Sequence, residues 1–263
     1  MKPRIAVTHF LIRIGRFIQS LAVMVMRTDD LIEFSRRTYA RPEAAEIWGR
    51  DDLIDSGLTP DEINLLDRIP VSHGRLLLLG VGGGREAVAL GQRGFDITGV
   101  DFAADMVAKS KENCARRNLR FQGLVQEISR IDVSVASFDV IWLGDGVYSA
   151  IPTSSRRVEM MKRIRSALKN NGYCICQFFW RREKRTCHTL ELFKKFFGLL
   201  TWGNIHYEDG DTLWQNTEFI HEFSTEQKLR EELKRGGFKV EYICISSKFM
   251  RGGAILRPQQ FRS

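Results

Sequence analysis

The run Arg75-Leu76-Leu77-Leu78-Leu79 enters Gly80-Val81-Gly82-Gly83-Gly84-Arg85-Glu86, and that junction restricts the fold more than any other part of the chain. Consecutive leucines lack the alternation of a strand with one wet face, so they read as a strand buried on both sides. Strands of that kind belong to parallel sheets with helices on each face. The glycines allow a sharp turn and a close approach of the backbone to a ligand. Arg85 to Gln92 then reads as a helix closed by Gly94, and its N-terminus offers free N–H groups and positive partial charge. A tight strand-to-helix turn without a ligand has the same composition, so the loop alone does not decide function.

The same rhythm continues downstream. Strands are predicted at Phe95 to Val100, Leu119 to Val125, Phe138 to Leu143 and Tyr173 to Phe179. Helices are expected over Ala103 to Arg117 and around Val158, Met161, Ile164 and Leu168, the latter stopping at Asn170-Asn171-Gly172. Repeated strand–helix units imply an α/β fold with a mostly parallel sheet and right-handed crossovers. Residues 181–216 break the rhythm with a basic start (Arg181, Arg182, Lys184, Arg185) and scattered aromatics. Regularity returns with a capping sequence at Ser224-Thr225-Glu226-Gln227, a helix to Gly236-Gly237, a strand from Phe238 to Ile245, and Phe249 to Leu256 as its hairpin partner. Residues 1–70 read as helical, and Thr59-Pro60-Asp61-Glu62 is a strong helix start. The expected organisation is a helical cap or lid over 1–70 and an α/β domain over 71–263. The insertion at 181–216 is a second candidate lid.

Ile5 to Met26 raises the question of targeting. Arg13 and Arg16 interrupt the apolar run and no small-residue cleavage site follows, which argues against a signal peptide. The uncharged stretch after Arg16 is too short to span a bilayer. On a helix, His9, Arg13, Arg16, Ser20 and Arg27 fall on one narrow stripe. Such a helix packs on its own domain or lies at a membrane interface. The broad apolar face favours packing, with Phe10, Ile14, Phe17, Leu21 and Val25 buried and the helix covering the pocket. Lys and Arg total 40 against 32 Asp and Glu, a net charge of +8. That balance admits nucleic acid, an anionic surface or an acidic substrate without choosing among them. Cys114, Cys174, Cys176, Cys187 and Cys244 form no CxxC pair, so neither a disulfide framework nor a metal site is expected. A reducing, cytoplasmic setting fits them, with Cys174 and Cys176 packed on one face of a strand.

The loop's details narrow its ligand. A phosphate-binding P-loop ends in Gly-Lys-Ser/Thr, which Arg85-Glu86 is not, and a dinucleotide fingerprint from Gly80 would need glycine at position 85. Gly80, Gly82 and Gly84 instead form G-x-G-x-G. Asp101 ends the second strand, where a carboxylate accepts hydrogen bonds from ribose hydroxyls. With Gly94, Thr98-Gly99-Val100-Asp101, Ser137-Phe138-Asp139-Val140-Ile141 and Leu168-Lys169-Asn170-Asn171-Gly172, the chain resembles the class I S-adenosylmethionine-dependent methyltransferases over about residues 75–180. The resemblance implies a Rossmann-like, doubly wound sheet, S-adenosylmethionine as cofactor and S-adenosylhomocysteine as product. It places Gly80, Gly82 and Gly84 at the methionine and adenosine, Asp101 on the ribose, Phe102 and Met106 beside the adenine, and Gln126 or Glu127 at its amino group. Leu78 departs from the family, which commonly carries Asp or Glu there.

Methyl transfer from a sulfonium needs alignment and a dry pocket, with a base only when the acceptor must lose a proton. The end of the fourth strand, Gly144-Asp145-Gly146-Val147-Tyr148, should open on the transfer point, with Gly144 near the cofactor. Asp145 is the candidate base or polar anchor and Tyr148 a candidate substrate wall, although Asp145 between glycines is equally a turn residue. His188, His206 and His221 are further candidate bases. The Asn/Asp-Pro-Pro-aromatic motif of amino-nucleobase methyltransferases is absent, and Thr186-Cys187 has no companion Pro-Cys. Gly84-Arg85-Glu86-Ala87-Val88-Ala89-Leu90, followed by Gly94 and Val100-Asp101, resembles small-molecule methyltransferases, and that resemblance implies a small-molecule acceptor. An RNA or protein acceptor using the basic cluster is the alternative enzyme, and a catalytically degenerate binding module is the alternative from another class.

Overall fold

The computed structural model describes residues 3–181, 196, 198–246 and 250–259. Five helices come first: α1 Pro3–Val25, α2 Thr28–Tyr39, α3 Pro42–Trp48, α4 Asp51–Asp55 and α5 Pro60–Leu66. Strand–helix units follow as β1 Gly74–Leu79, α6 Arg85–Gln92, β2 Phe95–Asp101, α7 Ala104–Ala115, β3 Phe121–Val125, β4 Phe138–Leu143, α8 Ser154–Ala167 and β5 Leu168–Phe179. A small hairpin, β6 Asp211–Trp214 and β7 Glu218–His221, precedes α9 Glu226–Arg235, β8 Phe238–Ser246 and β9 Arg251–Pro258.

The seven-stranded sheet has the order β3-β2-β1-β4-β5-β9-β8, with β1 to β5 parallel and β9 antiparallel to both of its neighbours. It is the expected α/β, doubly wound arrangement. The leucine run behaves as read: Leu76 and Leu78 join the core on one face, Leu77 and Leu79 the core on the other. Cys174 and Cys176 point into one of these cores with Ile175 in the other. The strand order reverses between β1 and β4, so the glycine loop and Gly144 flank the switch point, where α/β sheets hold ligands.

Two local expectations need correcting. The helix before β5 ends at Ala167, and Asn170-Asn171-Gly172 is absorbed into β5 as an irregularity in its pairing with β4. Thr225 occupies the N-cap of α9 but makes no side-chain capping bond, whereas Thr59 and Glu62 cap α5 reciprocally.

Helix α1 is the larger correction. Phe10 is 62% exposed and Val25 53%, and Ile14 and Phe17 are exposed too. Its last turn is docked, where Val23 and Met24 are buried with Leu31, Tyr207 and Phe219. The cover over the glycine loop comes from α3: the backbone of Trp48 and Gly49 lies against Gly83, and the Asn113 amide donates to the carbonyls of both Gly49 (3.1 Å) and Gly83 (2.9 Å).

Arg85 clamps the cap to the sheet. Its guanidinium donates to both carboxylate oxygens of Glu62 (2.8 and 2.7 Å), to Glu86 (2.6 Å) and to the Gly57 carbonyl (2.7 Å). Burial pushes the Glu62 carboxyl up, but Arg85 and the Thr59 cap outweigh it and hold the group below its ordinary value. A folded value below the unfolded one adds stability above the unfolded pKa, about 4.3, and that stability is lost as pH falls through the folded value. Glu62→Gln is expected to lower stability by about 2 kcal/mol at neutral pH, the scale of a charged hydrogen bond. In urea melts at successive pH values the gap from the parent should close below the carboxylate range. A gap that is constant down to acid pH would show that the charge contributes nothing.

Candidate cofactor and acceptor site

The site is built at the C-terminal ends of β1, β2, β4 and β5. Beyond Leu79 the loop is tied to β2, with the N–H groups of Gly80 (2.8 Å) and Val81 (3.1 Å) donating to the Val100 carbonyl. Gly82 has φ +51°, and a side chain there would meet nothing within 4 Å, so its outer face is open space. A Cβ on Gly83 would come within 2.2 Å of the Trp48 carbonyl oxygen, so that glycine is required for close packing of the cap. Gly84, the N-cap of α6, completes the turn. Asp101 is buried at the end of β2; one carboxylate oxygen accepts from the Gly82 N–H (3.0 Å) and the other from the Ala103 N–H (3.0 Å). Burial raises its pKa, and the N–H donors of Ala103 and Gly82 oppose the rise.

Phe102, next in the chain, meets Tyr39 of α2 edge-on at 6.3 Å between ring centres, and the Arg36 guanidinium carbon lies 5.7 Å from the centre of its ring. Arg36 in turn is 4.0 Å from the Glu127 carboxylate. Across the mouth, Gly144 sits where a Cβ would be 3.2 Å from the Leu79 carbonyl oxygen, and its own N–H donates to that carbonyl (3.0 Å). Asp145 is ion-paired with Arg251 at the start of β9. Burial raises the Asp145 pKa, with Arg251 opposing and Glu62 adding to the rise. The Arg251 guanidinium lies 4.6 Å from the centre of the Phe179 ring, and Phe179 packs on Trp214 of β6 at 5.1 Å. The Tyr39 hydroxyl donates to Glu218 of β7 (2.6 Å), whose carboxyl is raised by burial and by the neighbouring charge of Asp145.

Residues 76–172 match the family described as a methyltransferase domain. The matched segment runs from β1 into β5 and so holds the glycine loop, Asp101 and Gly144. No curated protein sequence matches the chain. Among solved structures it is similar to a methyltransferase from Methanosarcina mazei (18% identity, TM-score 0.58, covering 77% of this chain and 98% of that one). It is also similar to 1,6-didemethyltoxoflavin-N1-methyltransferase from Burkholderia thailandensis (15%, 0.60, 87% and 88%). A third is a TehB-like methyltransferase from Corynebacterium glutamicum (16%, 0.55, 83% and 100%). At these identities the structural likeness is one of fold.

The remaining expected residues divide. Glu127, not Gln126, lies beside Arg36 and Phe102: the Gln126 amide is committed to the backbone of Asp132, donating to its carbonyl (3.1 Å) and accepting from its N–H (3.0 Å). Met106 is buried beneath the cap with Ala45 and Ala103, with Phe102 partly buried against them. Tyr148 is no substrate wall. It is fully buried, stacks on Phe223 at 5.6 Å and donates to Glu232 of α9 (2.6 Å). Its position four residues beyond Gly144 suggested the mouth, but the turn after β4 carries it into the core beneath.

His221 is buried with its Nδ1 2.8 Å from Asp211, and His206 is exposed on the hairpin side. His188, Thr186-Cys187 and the cluster Arg182, Lys184 and Arg185 lie outside the described residues. Tyr39, Glu218 and Arg251 escaped the sequence reading because nothing local marks them. Tyr39 and Glu218 are 179 positions apart and meet only in space.

The residues present suit an adenosine-bearing sulfonium. Each Asp101 oxygen already accepts one N–H and keeps a lone pair for a ribose hydroxyl, while the face above Gly82 is open. Leu78 is fully buried among Val140, Trp142 and Ile175, so a carboxylate at that position would enter apolar packing.

Proposed function

We propose that this protein transfers the methyl group of S-adenosylmethionine to a small, uncharged or amine-bearing molecule that binds beside Tyr39, Asp145 and Glu218. The observation that carries this reading is the Asp101–Gly82 bond beneath open space, a ribose acceptor already locked to the loop that approaches the cofactor. In the bound state Gly80, Gly82 and Gly84 line the methionine and adenosine, Asp101 holds the ribose hydroxyls, and Phe102 and Glu127 flank the base with Met106 supporting Phe102 from below. Bound S-adenosylmethionine supplies an activated methyl carbon that needs only in-line displacement.

Asp145 anchors the methionine ammonium or the acceptor. The Tyr39–Glu218 pair and Asp145 stand where an acceptor hydroxyl or amine would shed its proton, and Phe179 and Trp214 exclude water. The Glu218 carboxylate, bonded to a neutral phenol rather than to a cation, favours such an acceptor over an RNA backbone, whose phosphates it would repel. The Burkholderia enzyme, solved with 1,6-didemethyltoxoflavin and S-adenosylhomocysteine bound, offers a small-molecule precedent on the same fold. In this reading residues 1–70 and the hairpin act as cap and lid, with α2 and α3 in the covering role rather than α1. The buried thiols of Cys174 and Cys176 suit a reducing, cytoplasmic setting.

Calorimetry tests the cofactor site. S-adenosylhomocysteine should bind and NAD should not. Asp101→Ala is expected to weaken the nucleoside by about 1–3 kcal/mol, roughly ten- to a hundredfold, without unfolding the protein. An unchanged affinity would reduce Asp101 to a strand cap. Binding without turnover on any acceptor or extract would favour the degenerate module.

A further inference from the structure

The base of the β6–β7 hairpin gathers three metal-ligating side chains. Glu208 precedes β6, Asp211 opens it and His221 closes β7. His221 Nδ1 lies 2.8 Å from Asp211 Oδ1 and 3.7 Å from Glu208 Oε2, and one donor atom from each residue falls within 4.8 Å of the other two. Asp211 and His221 are buried, and Glu208 is partly so. Both measured separations fit bonds of about 2.0–2.2 Å to a shared ion, the range for imidazole and carboxylate on zinc.

Each ligand is already aimed by other bonds, as ligands of metal sites are. Asp211 Oδ2 accepts the Glu208 N–H (2.8 Å), which leaves Oδ1 facing the imidazole. Glu208 Oε1 accepts the Ser154 N–H at the start of α8 (2.6 Å). Its Oε2 accepts from Arg157 (2.6 Å) and keeps a second lone pair. The His221 N–H donates to the Ser149 carbonyl (2.8 Å), and its ring stands edge-on to Phe223 at 4.7 Å between ring centres.

Charge argues for an ion rather than a simple imidazole–carboxylate bond. Among the described residues, these bonds join the carboxylates of Glu208, Asp211 and Glu232 to the Arg157 guanidinium and the His221 imidazole. With the imidazole protonated, three negative charges face two positive ones, and burying an unbalanced charge is costly. A neutral imidazole with a divalent cation balances the group. An imidazole with two carboxylates suits a first-row transition ion better than magnesium or calcium, which prefer oxygen alone.

We propose that Glu208, Asp211 and His221 bind one first-row divalent metal ion, which fastens the base of the β6–β7 hairpin to α8. The cysteine pattern argues only against a thiolate site, and these donors are carboxylate oxygens and an imidazole nitrogen. The ion holds the hairpin that carries Trp214 and Glu218 and takes no part in methyl transfer. The inference does not rest on the proposed cofactor or acceptor, so it stands or falls separately.

Cobalt(II) chloride titrated into the chelator-washed full chain, followed by visible absorption, tests it. The parent should develop a saturable band at one ion per chain, without the charge-transfer absorption of a cobalt thiolate, and should melt at a higher temperature once loaded. Glu208→Gln, which keeps the size of the side chain, should bind at least about tenfold more weakly, and so should Asp211→Asn. Near- and far-ultraviolet circular dichroism matching the parent's separates loss of a ligand from loss of the fold. Should Asp211→Asn not fold, Glu208→Gln decides alone. Absence of a saturable band, a thiolate-type band, or equal affinity in the parent and Glu208→Gln would overturn the inference.

Discussion

Arg157→Leu is expected to destabilise the fold by about 4 kcal/mol, the scale of breaking a buried ion pair by removing one partner. Arg157 is almost wholly buried on α8 and donates through Nε (2.7 Å) and a terminal nitrogen (3.0 Å) to Glu232, to Glu208 (2.6 Å) and to the Ile151 carbonyl (3.1 Å). Burial drives the Glu232 carboxyl up, and Arg157 more than reverses it, so Glu232 titrates below its ordinary value. Leucine would leave that carboxylate buried with the Tyr148 hydroxyl as its main remaining donor. The loss should shrink at acid pH, where Glu232 in the variant takes up a proton and no longer needs a cation. Arg157→Leu/Glu232→Met removes both charges and should recover most of the stability, because apolar replacement of a whole buried pair is often neutral. Urea midpoints for the parent, the two single variants and the double variant form the cycle. If the singles each cost under about 1 kcal/mol, the pair is dispensable.

That network also shows which parts of the molecule the sequence could disclose. The leucine run, the glycines after it and Asp101 are neighbours in the chain, and their roles follow from local geometry: burial on both faces, a sharp turn, a strand end. Thr59 and Glu62 were readable as a cap for the same reason, yet their second use was not. Glu62 also receives Arg85, which sequence comparison marked only as the residue that excludes a dinucleotide fingerprint. Tyr148 and α1 were misread in opposite directions. An aromatic four residues past a glycine turn was assigned to the mouth and belongs to the core. An apolar helix was read as a lid packed on the domain, and Phe10, Ile14, Phe17 and Val25 are exposed. Periodicity tells how wide an apolar face is and not what covers it. The pairs that close the mouth, Tyr39 with Glu218 and Asp145 with Arg251, join segments whose proximity depends on the complete topology.

Neighbouring glycines of the loop should fail in different ways when substituted, and the difference separates its two jobs. Gly82→Val places a branched side chain in the open space above the loop, at φ +51°, where L-residues are strained by about 1–2 kcal/mol. Stability should fall by roughly that amount. Binding of S-adenosylhomocysteine should fall at least about a hundredfold, some 2.7 kcal/mol, because the side chain takes the ligand's place.

Gly83→Ala adds a single carbon, but that carbon would lie 2.2 Å from the Trp48 oxygen and 2.6 Å from the Gly49 nitrogen. Both are backbone atoms, and the Asn113 amide ties the neighbouring Gly49 carbonyl to that of Gly83, so no side-chain rotation relieves the contact and the cap must move. Overpacking of this kind costs about 1–3 kcal/mol. The accompanying change in binding should follow only from the cap's retreat from Phe102 and Tyr39. A stability-to-affinity ratio that is low for Gly82→Val and high for Gly83→Ala is the expected signature, read by urea unfolding and calorimetry on the same preparations. Should Gly82→Val bind the nucleoside as the parent does, the open space above it is not the cofactor's, and the loop assignment falls with it.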